Sequence, residues 1–125
     1  MTGLLIVSHG SHSKKAEKEI HQLVKEIKHS SRISVLRYAF LEINKPTIPE
    51  GIEQCIKDGA TNIFVILHFL NSGNHALKDV PRIVKETLKK HPKVSFHISR
   101  PIGLHPKIIE LYNDVIYPRI NVKDF

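Results

Sequence analysis

Tryptophan is absent from the 125 residues, and cysteine and methionine occur once each. A single cysteine excludes an internal disulfide and any cysteine-built zinc knuckle. Cys55 stands between Ile52 and Ile56 in "GIEQCIKDG" and reads as helix core. No apolar run reaches the roughly 20 residues that a membrane-spanning helix needs, and the N-terminus lacks a signal-peptide pattern. No membrane partner is expected, and the cytoplasm is the expected compartment. Acidic residues are also scarce, 12 against 19 Lys and Arg, which leaves a net charge of +7 with histidine neutral. That balance points to an acidic partner or a polycarboxylate or phosphate ligand. The basic residues are scattered over helical segments, and no aromatic side chains interleave with them. A nucleic-acid partner is therefore not expected. The densest run, "KETLKKHPK" at 85–93, reads as a solvated helix end.

Histidine is what the chain has in excess, with nine copies. It is a common metal ligand and titrates near neutrality. Two copies fall in "LLIVSHGSHS", residues 4–13, where an apolar run stops at a small polar cluster around His9.

Runs of strand and helix type alternate along the chain. Strands are expected at 3–8, 33–42, 62–70 and 93–99, and helices at 13–30, 45–60, 80–91 and 107–117. Residues 71–79 and 100–106 read as loops. Thr47 or Pro49 suits the start of the second helix and Gly59 its end, while Asp79 is placed to cap the third. His21 and His29 belong to the surface of the first helix, His91 to a helix end and His97 to a strand surface. His105 reads as the start of the last helix. Phe40, Phe69 and Leu70 read as core or cleft wall. This βαβαβαβα pattern predicts one α/β domain over 1–125, a flavodoxin-like three-layer sandwich with a four-stranded parallel sheet of order 2-1-3-4.

In such sheets ligands bind beyond the carboxyl ends of the strands, where strand order reverses. Here that point lies between strands one and three. His9 follows the first strand, Glu42 the second, and His75 lies in the loop after the third. Neighbouring strands are about 4.8 Å apart. The three side chains can therefore converge on one crevice. Two imidazoles and a carboxylate suit Co²⁺, Ni²⁺, Fe²⁺ or Zn²⁺ without choosing among them, and they suit proton transfer near pH 7.

The segments "SHGSHS", "FLEINKPTI" and "HFLNSGNHALKDVP", with the late "RPIGLHP", resemble the small form of the CbiX/SirB sirohydrochlorin chelatases over about residues 3–117. The resemblance implies the class II chelatase fold and insertion of a divalent metal into sirohydrochlorin, giving the cobalt or iron product. In a close archaeal branch it implies the nickel product on the route to coenzyme F430. His9 and His75 match the family's two active-site histidines, and Glu42 the acidic residue between them. The resemblance implies a homodimer, because one half-sized sandwich supplies half of the cleft. It implies the metal as substrate and no permanent cofactor.

Gly10, Ser11, Leu70, Ser72, Gly73 and Lys78 are expected to touch the macrocycle. The glycine of the 71–79 loop lets backbone approach a flat ligand closely. Arg100 is open to a substrate carboxylate or to solvent. The chain departs from the family in two places: His12 stands where Arg is usual, and His68 where Pro is usual. Both departures bear on the choice of metal. Among other readings, a histidine phosphatase needs Arg before its first active-site His, and here that residue is Ser8. A non-enzymatic metal or tetrapyrrole carrier would use the same ligands and stays open.

Overall fold

The N-terminal apolar run forms β1 (Thr2–Ser8), and the rest of the sheet is arranged around it. In the computed structural model, which describes residues 1–116 and 122–124, β1 is flanked by β2 (Val35–Phe40) and β3 (Asn62–Leu67). β4 (Ser95–Ile98) completes an all-parallel sheet of order β2-β1-β3-β4, the order the pattern predicts. Four helices alternate with the strands: α1 (Lys14–Ser30), α2 (Ile48–Lys57), α3 (Val80–Leu88) and α4 (Ile108–Asp114).

Both faces of the sheet are covered, and each has its own apolar layer. Leu5, Val7, Ala39, Ile63 and Val65 pack against Ile48, Ile52 and Cys55 of α2 and Val80 and Val84 of α3. On the opposite face Ile6 and Leu36 pack against Val24 of α1, with Ile20 and Ile27 beside it. Cys55 is fully buried, as its apolar neighbours in sequence imply, and burial pushes its thiol up to about 11. Gly51 of α2 lies so close to the sheet that a Cβ would meet Leu5 and Ala39 below 3.0 Å. That contact sets how deeply α2 beds into the sheet.

The elements are shorter than the apolar runs suggest, for local reasons. α2 starts at Ile48 because Thr47 forms a capping box with Glu50, and it stops before Gly59 at φ +105°. Beyond β3, His68 N–H still donates to Val7 O, but Phe69 N–H turns back to Leu67 O. Val94 N–H is held by His91 O in a turn, so β4 begins only at Ser95. β4 is an edge strand and mostly exposed, with His97 stacked on Phe64. His91 lies beyond α3 and meets Glu53 of α2 at 2.8 Å. His21 packs against Tyr38 with the rings tilted by 34°.

Three expectations need correction. The 71–79 loop is not wholly irregular, because His75–Asp79 forms a 3₁₀ turn that runs into α3. Asp79 does not cap α3. Its backbone is already helical and its carboxylate reaches Arg82 at 3.8 Å instead, while Asn74 caps the 3₁₀ turn. α4 begins at Ile108, one turn after His105, whose Nδ1 accepts from Lys107 N–H. The last residue expected in that helix, at position 117, lies outside the described residues.

Ile52 is fully buried where α2 meets the sheet. Ile52→Ala is expected to cost about 3 kcal/mol in urea unfolding. A loss below about 1 kcal/mol would mean that α2 can settle into the space.

Candidate active site

Backbone, rather than side chains, brings the site together. The β1–β2 register ends at Ser8 and Phe40, and two further backbone bonds tie the segments beyond it: Leu41 N–H donates to Ser8 O at 2.8 Å, and Glu42 N–H to His9 O at 3.0 Å. His9 and Glu42 are thereby laid side by side. Gly10 then leaves the strand at φ +103°, and a Cβ there would collide with the Glu42 carbonyl oxygen. Only glycine meets both conditions. The turn is tied from the other side by Asn44, whose Oδ1 accepts from Ser11 N–H at 2.6 Å. Between them Ile43 sits at φ 69°, a costly conformation for a β-branched residue, held by the contacts around it.

The side chains follow from this frame. His9 Nε2 lies 3.5 Å from Glu42 Oε2, with the two side chains 44% and 53% exposed, so a flat ligand can reach both. His9 Nδ1 lies 2.9 Å from Asn74 Nδ2. Asn74 Oδ1 in turn accepts from Ala76 N–H at 2.9 Å. His75 follows directly, exposed, at the first position of the 3₁₀ turn. The structure thus joins His9 to Glu42, and joins His9 to the loop that carries His75. Among the described residues it does not assemble three His, Cys, Asp or Glu side chains into a ready-made metal site.

A cleft of about 460 Å³ opens between these strand ends and the start of α1. Ser8, His9, Gly10, Ser11, Phe40 and His68 line it, with Ala16, Glu17, Glu19, Ile20 and Leu23 from the α1 side. It lies at the expected switch point. His68 is half-buried there, and burial holds its imidazole below the usual histidine range. His12 is exposed on the turn before α1. The Ser8 hydroxyl is buried and has no hydrogen-bond partner among the described residues. Leu70, Ser72, Gly73 and Lys78 are exposed on the loop after β3. Gly73 N–H donates to Asn71 Oδ1, which ties that loop tip to itself. A Cβ on Gly103 would strike the Leu70 backbone, so the "RPIG" turn packs directly behind the same loop.

Asn44 and Asn74 escape a reading of the sequence for chemistry, because asparagine in a polar loop looks like turn material. The available signal was position: each stands within two residues of a candidate ligand, Glu42 or His75.

The CbiX family model matches residues 3–117. The chain belongs to the CbiX family. It is 34% identical over 107 residues to the sirohydrochlorin ferrochelatase of Bacillus subtilis, covering 86% of this chain and 41% of that protein. It is 30% identical over 123 residues to the sirohydrochlorin cobaltochelatase of Sulfolobus acidocaldarius, covering 98% of this chain and 96% of that one. Among solved structures, the sirohydrochlorin chelatase SirB from Bacillus subtilis subspecies spizizenii, in complex with cobalt, superposes with a TM-score of 0.80 at 32% identity. That match covers 90% of this chain and 48% of SirB. The CbiX chain spans about half or less of the length of several curated relatives, and nearly all of the Sulfolobus protein.

Gly10→Ala should detach the His9 turn from Glu42, and is expected to cost at least about 2 kcal/mol by urea unfolding. The folded-state pKa of His68 lies below the unfolded value of about 6.5, so the unfolded chain takes up that proton first as pH falls. The stability gained by keeping His68 neutral is complete above about pH 6.5 and is lost as pH drops through the lower folded-state value. Melting curves from pH 7.5 to 4.5 should show a shallower decline for His68→Gln than for the parent. Parallel declines would show that His68 does not contribute.

Proposed function

We propose that this chain inserts a divalent metal ion into sirohydrochlorin in tetrapyrrole biosynthesis, with the ion as a substrate. The observation that carries the reading is the pairing of Glu42 with the cleft-lining His9, held by backbone bonds just beyond the β1–β2 register, in a CbiX-family chain. Relatives are named for cobalt and for iron. Nickel is a third candidate, since imidazole and carboxylate donors accept all three ions. The route served, to cobalamin, sirohaem or a nickel coenzyme, follows from which metal is inserted.

Insertion exchanges one M²⁺ for the two pyrrole N–H protons of the macrocycle. The ion has to be held loosely enough to leave, and the protons need acceptors. His9 and His75 fill both roles in turn: each donates a lone pair to the ion and, once the ion has moved to the macrocycle, takes a proton. Glu42 offsets the charge of the ion and stabilises a protonated His9. A site open on one side, with no closed cage, suits an ion in transit.

Sirohydrochlorin is a polycarboxylate. Lys14, Lys15, Lys45, Lys78 and Arg100 are exposed on the segments that follow strand carboxyl ends and offer positive charge to its carboxylates, while Glu17 and Glu19 line the cleft itself. Leu70, Ser72 and Gly73 are exposed and Gly10 and Ser11 partly so, which leaves them open to the macrocycle face. The dimer belongs to the same reading. α4 leaves Ile109, Leu111 and Tyr112 more than half exposed, and Val115 and Ile116 continue that surface. A second copy would cover this apolar row and supply the other wall of the cleft, as the second half of the longer relatives would.

The test is anaerobic insertion into sirohydrochlorin with Co²⁺, Fe²⁺ and Ni²⁺, followed by the tetrapyrrole spectrum. His9→Ala and His75→Ala are each expected to lower kcat at least about tenfold, and Glu42→Gln to do less. Near-native turnover in either histidine variant removes that residue from the mechanism. Binding of metal and macrocycle without faster insertion favours the carrier.

Salt gives a separate prediction. Raising ionic strength from 0.1 M to 1 M shortens the Debye length from about 10 Å to about 3 Å, so KM should rise while kcat changes little. Sedimentation at micromolar concentration should show a dimer that Ile109→Asp with Tyr112→Asp dissociates.

A further inference from the structure

Resting on the reading of His9 as a metal-handling residue, we infer that Asn74 is a positioning residue that sets the tautomer of His9 and weakens its hold on the ion. The Asn74 amide has a fixed orientation. Asn74 Oδ1 accepts from Ala76 N–H at 2.9 Å. Turning the amide over would point its NH₂ at that N–H, two donors face to face. The oxygen therefore stays with Ala76, and Nδ2 is the atom that lies 2.9 Å from His9 Nδ1. An NH₂ group only donates, so His9 Nδ1 is the acceptor. In a neutral imidazole the proton is then on Nε2, the nitrogen 3.5 Å from Glu42 Oε2.

This is the reverse of the usual support for a metal-binding histidine. Such a residue normally gives its second N–H to a carboxylate or carbonyl, which leaves the other nitrogen's lone pair free for the ion. Here Nε2, the nitrogen facing Glu42, carries hydrogen in the resting state. When an ion binds at Nε2, that proton leaves to water and Nδ1 takes one from water, with no net change. Nδ1–H then faces the Asn74 NH₂, and the hydrogen bond between them is lost. Each binding event at His9 thus breaks one hydrogen bond, and each release restores it. Asn74 biases His9 toward letting go, which is what delivery to a macrocycle requires. The same residue caps the turn that starts at His75, so the bias and the placement of the second histidine share one side chain.

Asn74→Asp isolates the effect. An aspartate oxygen still accepts from Ala76 N–H, and the other oxygen now accepts from Nδ1–H of His9. The first readout is long-range ¹H–¹⁵N correlation of the His9 ring in metal-free protein at pH 8, with His9→Gln identifying the signals. The parent should show the Nε2–H tautomer and Asn74→Asp the Nδ1–H tautomer. The second readout is Co²⁺ titration without tetrapyrrole, in which Asn74→Asp should bind about tenfold more tightly or better. If the aspartate variant does not fold, Asn74→Ala should move the parent ring toward a mixture of tautomers. A parent ring in the Nδ1–H form, a tautomer unmoved by the substitutions, or unchanged Co²⁺ affinity overturns the inference. Neither readout involves the macrocycle, so failure of the insertion assay would strike the proposed reaction and leave this result standing on its own.

Discussion

The site depends on one constraint: the backbone after β1 must run hydrogen-bonded beside the backbone after β2. The bonds from Leu41 to Ser8 and from Glu42 to His9 hold that pairing, and Gly10 makes it sterically possible. A side chain at position 10 would occupy the place of the Glu42 carbonyl. The Asn44 amide would also lie in its way, 3.1 Å from the added carbon. His9 and Glu42 are thus placed by main-chain geometry, and their own side chains remain exposed and free to respond to a ligand. A site built on two strand ends inherits the rigidity of the sheet beneath it.

The arrangement also explains why so many loops meet at one point without a large buried polar core. β1 is central, so its carboxyl end is bordered by the ends of β2 and β3. Three turns then share a small area, linked by asparagines: Asn44 joins the first and second, Asn74 the first and third. An asparagine presents an acceptor and a donor on one rigid amide, so it can hold one loop by a backbone N–H while offering its NH₂ to another. Side-chain carboxylates in these places would add negative charge beside His9 and His75.

Periodicity made the fold legible. The alternation of apolar runs with amphipathic helices is a strong pattern, and parallel crossovers leave few strand orders open. The candidate ligands were legible because the fold rule says where to look: after strands one, two and three. Element ends were less so. Whether the run at 62–70 stays a strand after Leu67 depends on whether Phe69 N–H finds a neighbouring strand or its own chain, which is a tertiary outcome. Asp79 misled for a related reason. It has the right composition for a cap, but a 3₁₀ turn had already brought the chain into helical conformation before it. Asn74 was hidden because its role lies in hydrogen-bond direction, which requires the positions of Ala76 N–H and His9 Nδ1 together.

The difference between holding a metal and passing one on lies in the second partner of each ligand. His9, Glu42 and His75 have the donor chemistry of a permanent site, and in a closed arrangement they would make one. In this chain His75 stands apart on an exposed turn, Glu42 is half open to solvent, and the second nitrogen of His9 faces a donor in place of an acceptor. Each feature alone lowers affinity modestly. Together they describe a site whose donor groups are exposed but not preorganised around an ion. On the proposed reaction, selectivity for insertion over storage then arises from geometry the macrocycle completes: four pyrrole nitrogens offer the cage that the protein withholds.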